Sequence, residues 1–149
     1  MKRRFGGMIL DCAFRIMIPF MVLYGLYVLL HGEHTPGGGF QAGGMIAIAI
    51  VCVRLILGTQ SNLRDLGAKA ALWAGVGTFI YLLTGLVCVL RGGNFLEYEY
   101  LPFFFQEAAQ YHKAGIMLIE TGVTVCVAAT IVNILDAVIE RVDEDDSDD

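Results

Sequence analysis

Glu120 is the residue whose position most calls for chemistry. It stands inside an apolar run covering about residues 114–139, seven positions beyond Lys113. At about 1.5 Å of rise per residue, that is roughly 10 Å into a helix. A carboxylate at such depth in hydrocarbon is costly and normally faces protein or a water-filled cavity, which makes it a functional candidate. Reversible exchange of a proton or a sodium ion is the chemistry it could carry. The plainer alternative is a structural acid hydrogen-bonded to a neighbouring subunit. Thr124, one turn further on, shares its face and could offer an oxygen to a hard cation. His31, Glu33 and His34 form a second polar cluster. Histidine titrates near neutrality, so proton transfer at the mouth of a path is conceivable there. Two loop histidines supply only part of a metal ligand set. A solvated polar turn is the simpler reading, and neither a metal site nor a cofactor is expected. Asp11 and Arg15, at i,i+4 spacing, read as a local ion pair, and Arg54 as a snorkelling cation.

The sharpest local pattern is the run Thr35-Pro36-Gly37-Gly38-Gly39-Phe40-Gln41-Ala42-Gly43-Gly44. Glycines open backbone conformations closed to other residues, and Pro36 fixes the entry to the segment that follows. Free N–H groups at such a helix start could face an anion or a partner's carbonyls. The Gly-Lys-Ser/Thr ending of a phosphate loop is missing. Small residues also recur at four-residue spacing: Gly39, Gly43 and Ala47 share one face, and Gly122, Cys126 and Thr130 another. In lipid, close backbone approach at small residues is a main source of helix association. Cys12, Cys52, Cys88 and Cys126 show no CxxC spacing and read as packing thiols.

These residues need long apolar helices to hold them, and the composition supplies them. Hydrophobic residues make up 56% of the 149 positions, and mean hydropathy is +0.65, above a soluble domain's apolar share. The expected fold is an all-α membrane protein with four transmembrane helices, at about 8–30, 39–57, 70–90 and 114–139, in a single unit over 1–139. The first is read as a retained helix, because no small-residue cleavage site follows it. The last seven residues hold six of the fifteen acids, so 140–149 reads as an acidic, disordered tail. Lys2, Arg3, Arg4, Arg15, Arg54, Arg64, Lys69 and Arg141 fall on one side of such a topology, Arg91 and Lys113 on the other. That imbalance puts both termini in the cytoplasm. The external segment 91–113, with its alternating acids and aromatics, suits an interfacial belt or a subunit contact.

The string His31-Gly32-Glu33-His34-Thr35-Pro36-Gly37-Gly38-Gly39-Phe40-Gln41-Ala42-Gly43-Gly44 resembles the signature of the MnhB/MrpB family, small membrane components of the Mrp-type multisubunit sodium/proton antiporters. Four spans and an acid followed by x-Gly in the last one, here Glu120-Thr121-Gly122, extend the resemblance to about residue 139. The family often carries Asp where Glu120 stands, and the acidic tail is not part of its pattern. The resemblance implies a non-catalytic subunit of a hetero-oligomeric Na+/H+ antiporter in the cell membrane, a secondary transporter component rather than an enzyme. The implied partners are other membrane subunits, the lipid bilayer, and Na+ and H+ as transported ions, with no nucleic acid. The alternative it leaves open is a Na+-translocating or structural subunit of a redox-driven complex such as a membrane-bound hydrogenase. Glu120 becomes the leading ion-handling residue, and residues 36–44 a motif for close helix packing.

Overall fold

A computed structural model describes residues 7–32, 37–57, 69–103 and 107–145, without the side chains of 55–57 and 139–145. Four α-helices dominate it: α1 (Gly7–His31), α2 (Gly39–Leu57), α3 (Ala70–Leu90) and α4 (Ala108–Asp145), with a 3-10 turn at Tyr98–Tyr100 between α3 and α4. The segments Gly7–His31, Ala70–Leu90 and Ala108–Val138 are long and apolar enough to cross a membrane, while Gly39–Arg54 is a shorter apolar helix. The first three helices match the expected ranges within a residue. The fourth overruns its range at both ends. Hydropathy marks only the apolar stretch, whereas helical hydrogen bonding continues through Gln110, His112 and Lys113 and again through 140–145, polar residues with adequate helix propensity. The acidic segment is therefore helical as far as Asp145, and 146–149 lie outside the described residues.

The helices pack in the order α1, α2, α4, α3, with α1 also touching α4. The buried apolar residues are small: Ala42, Ala47, Ala49, Ala70, Cys88, Ala128, Val28 and Val132, joined by Leu101 of the connecting loop. The large ones, among them Phe20, Leu23, Phe79, Leu86 and Leu90, point outward. That is the reverse of a water-soluble core, where large side chains are buried to remove apolar area from water. It suits a lipid surround, in which helices associate through small residues. A Cβ on Gly77 would lie 2.5 Å from backbone atoms of Gly122 and Cys126, so α3 and α4 cross almost backbone to backbone. Between α2 and α3, an apolar groove of about 230 Å³ is floored by Ala128, Ala129 and Val132 of α4 and flanked by Ile50 and Trp73.

The two halves are staggered along α4. Gly39, at the start of α2, lies against Glu120, whereas Gly122 lies against Ile80 and Tyr81, in the middle of α3. From Glu120, α4 continues back to Ala108, a further distance of roughly 18 Å. The α1–α2 turn therefore sits well below the end where α3 and α4 are joined. A folded loop closes that taller end. Phe95 packs over Gly85 and Tyr98 over Gly115 at contacts no Cβ could share. Glu97 Oε2 accepts from the Asn94 backbone N–H at 2.6 Å, and the Tyr111 hydroxyl donates to the Phe103 carbonyl at 2.6 Å. Burial pushes the Tyr98 phenol above its ordinary pKa, with Tyr81 and Cys88 adding to the shift.

Candidate ion-handling site

Glu120 is half-buried on the face of α4 turned to α2. Its carboxylate lies beside the end of α1 and the entry to α2. A Cβ on Gly32 would be 3.0 and 3.1 Å from the two carboxylate oxygens, and one on Gly38 would be 3.5 Å from Oε1. Gly38 has φ +136°, a conformation that disfavours any side chain. A Cβ on Gly39 would collide with the Glu120 carbonyl, and one on Gly43 would lie 2.8 Å from the Thr124 carbonyl. The glycine run and the half-buried acid, separate features in the sequence, are thus one contact. The first turn of α2, rich in unsatisfied N–H groups and carrying the positive end of the helix dipole, begins beside this carboxylate.

The Thr124 hydroxyl is buried and lies 3.0 Å from the Gly39 carbonyl and 2.7 Å from the carbonyl of Glu120, to which it can donate. Donated to the Gly39 carbonyl, its proton ties α2 to α4. Ala47 is fully buried on the same seam. The other predicted face behaves differently: Gly122 and Cys126 meet α3, with Cys126 Sγ 3.5 Å from the Thr78 hydroxyl, while Thr130 is exposed. Gly37 packs on Val28 of α1, Gly44 faces open space, and Phe40 is 70% exposed, so only part of the motif serves the seam. His31 ends α1, with its ring stacked 4.3 Å from that of Tyr27 and Nδ1 3.2 Å from the Tyr27 carbonyl. His34 and Pro36 lie outside the described residues. The pairing of Asp11 with Arg15 is present at 3.0 Å.

Sequence reasoning did not connect Arg54 with Asp136. Arg54 Nη1 donates to Asp136 Oδ1, with the side chains only 17% and 25% exposed. The snorkelling expected of Arg54 is thereby replaced by an ion pair across the α2–α4 seam. A signal was available. In a four-span topology the second and fourth helices run parallel. Arg54 lies fifteen residues after Gly39 and Asp136 sixteen after Glu120, so helices in register at one end bring opposite charges together at the other.

Helices with small residues inside and large apolar ones outside, an acid on a close seam and an ion pair further along it define a helical membrane protein with charged groups between its helices. The family model described as "Domain related to MnhB subunit of Na+/H+ antiporter" matches residues 9–133, and the chain belongs to that family. Among curated relatives, it is 28% identical over 130 residues to the "Putative antiporter subunit mnhB2" of Staphylococcus haemolyticus (strain JCSC1435), covering 87% of this chain and 92% of the relative. It is 23% identical over 130 residues to the protein of the same name from Staphylococcus aureus (strain Newman), with the same coverage.

Proposed function

We propose that this chain is a non-catalytic membrane subunit of a multisubunit monovalent cation (Na+)/proton antiporter, contributing to the ion-translocating assembly of the cell membrane. The observation that carries the reading is the Glu120 carboxylate, seated where the glycine turn meets α4 in a chain of the MnhB family. Glu120 exchanges or guides the ion. Thr124 and the glycines fix the α2 entry against it. His31, at the end of α1, and His34 are the remaining proton-handling candidates. The chain crosses the membrane four times with both termini in the cytoplasm. Lys113 then stands at the outer boundary, while Arg54 and Asp136 stand at the inner one. From Lys113 to Asp136 is 23 residues of helix, roughly 34 Å and close to a bilayer's hydrocarbon thickness. Other membrane subunits complete the path, and Na+ and H+ are the transported ions.

The test is Glu120→Gln in the complete complex, reconstituted in vesicles. Sodium-dependent proton movement should fall to background while native gels show an unchanged assembly. Parental antiport by an assembled Gln variant would reduce Glu120 to a structural acid.

A further inference from the structure

The stagger of the helices leaves a recess beside Glu120 that the α2–α4 seam does not fill. Above the level where α1 ends and α2 begins, the face of α4 carrying Ile116, Met117 and Lys113 has no α2 packed against it. The recess is lined by Leu29 and Leu30 of α1 and by Lys113, Ile116, Met117 and Glu120 of α4. Among the described residues, its lining is apolar except for one acid and one ammonium. Lys113 precedes Glu120 by seven residues, two helical turns on the same face, with roughly 10 Å between the backbone positions. The flexible four-carbon stem of a lysine can shorten or lengthen that separation.

Resting on the reading of Glu120 as the ion-handling group, we propose that Lys113 is a positioning residue for the transported cation, its ammonium competing with a monovalent cation for the Glu120 carboxylate. With no cation at Glu120, the ammonium leans toward the carboxylate and adds positive charge beside it. A cation entering the recess takes that place, and the ammonium withdraws toward the outer boundary. Its repulsion holds the affinity for the cation low enough for release. Both forms keep positive charge beside the carboxylate, which limits the cost of burying it. For unit charges about 10 Å apart at an effective dielectric of 20–40, the repulsion corresponds to a roughly 4- to 15-fold weaker cation affinity.

The experiment measures antiport by the intact complex in vesicles across a sodium titration. Lys113→Gln should lower the half-saturating sodium concentration about 4- to 15-fold and reduce the maximal rate through slower release, whereas Lys113→Arg should keep the parental value. Lys113→Met, which keeps an apolar stem and removes the charge, should lower the half-saturating concentration in the same way, and it decides the matter if the Gln variant fails to assemble. A purely structural Lys113 would change the amount of complex without moving this concentration. Unchanged half-saturation in assembled Lys113→Gln, or in Lys113→Met where the Gln variant does not assemble, overturns the proposal. If Glu120→Gln abolishes antiport at the same time, the proposal for Lys113 alone has failed. If Glu120→Gln is also silent, the reading beneath it has failed.

Discussion

Arg54 and Asp136 show how much a single residue's meaning depends on its partner. Each alone would be a charge lodged among apolar helices. Together they form a mostly buried pair, and removing one leaves the other uncompensated. Arg54→Met or Asp136→Leu should each destabilise the complex by about 2–3 kcal/mol, at the lower end of the range for buried pairs because both groups retain some exposure. The double variant should recover most of that loss, since it leaves no orphaned charge. Thermal unfolding of the purified complex reads the effect, and equal losses in the single and double variants would show that packing rather than charge dominates. Thr124 makes the complementary point. Its hydroxyl, expected to offer an oxygen to a cation, is directed at the Gly39 and Glu120 carbonyls. Donating there helps to fix the position of α2 and leaves the hydroxyl's lone pairs for a cation.

At the scale of elements, the α2–α4 seam depends on residues without side chains. Gly39→Ala forces a methyl into the Glu120 backbone and should cost about 1–3 kcal/mol by overpacking. Gly44→Ala, one turn along the same helix, meets open space. It should be neutral or stabilising by up to about 1 kcal/mol, because alanine is the better helix former. The paired variants compared by thermal unfolding separate close approach from backbone flexibility, since the added methyl meets backbone at Gly39 and open space at Gly44. Spacing alone assigns Gly39, Gly43 and Ala47 to one face and Gly122 and Cys126 to another. Which helix each face meets depends on packing order, and spacing does not encode that.

At the scale of the whole molecule, the stagger is the feature that matters most. One pair of helices ends at a polar turn level with Glu120, while the other continues to a folded aromatic cap. The proposed orientation puts that cap outside. In a chain whose four native cysteines are replaced, Arg91→Cys should react with a membrane-impermeant maleimide added outside intact cells. Lys69→Cys, at the other end of α3, should react only after the membrane is opened. The reverse pattern would invert the topology. The groove between α2 and α3 and the outward-facing large apolar residues give this molecule a surface suited to lipid and to neighbouring helices.

The four helices were legible in the sequence because apolar length and the polar punctuation between runs are local properties. The importance of Glu120 was legible too, because a charge in hydrocarbon is costly wherever its helix lies. The family could be read in the glycine run for a related reason, since close backbone approach tolerates so few residue types. Packing was needed to show that this run and Glu120 form one site, that Arg54 has Asp136 as its partner, and that Lys113 shares a recess with the acid. Those facts depend on the relative shift and neighbour order of helices whose contacting residues lie 82 and 85 positions apart in sequence. In a membrane that shift is set by steric fit at small residues rather than by hydrophobic patterning. Glu120 is thus marked by the sequence, and its surroundings are set by the packing.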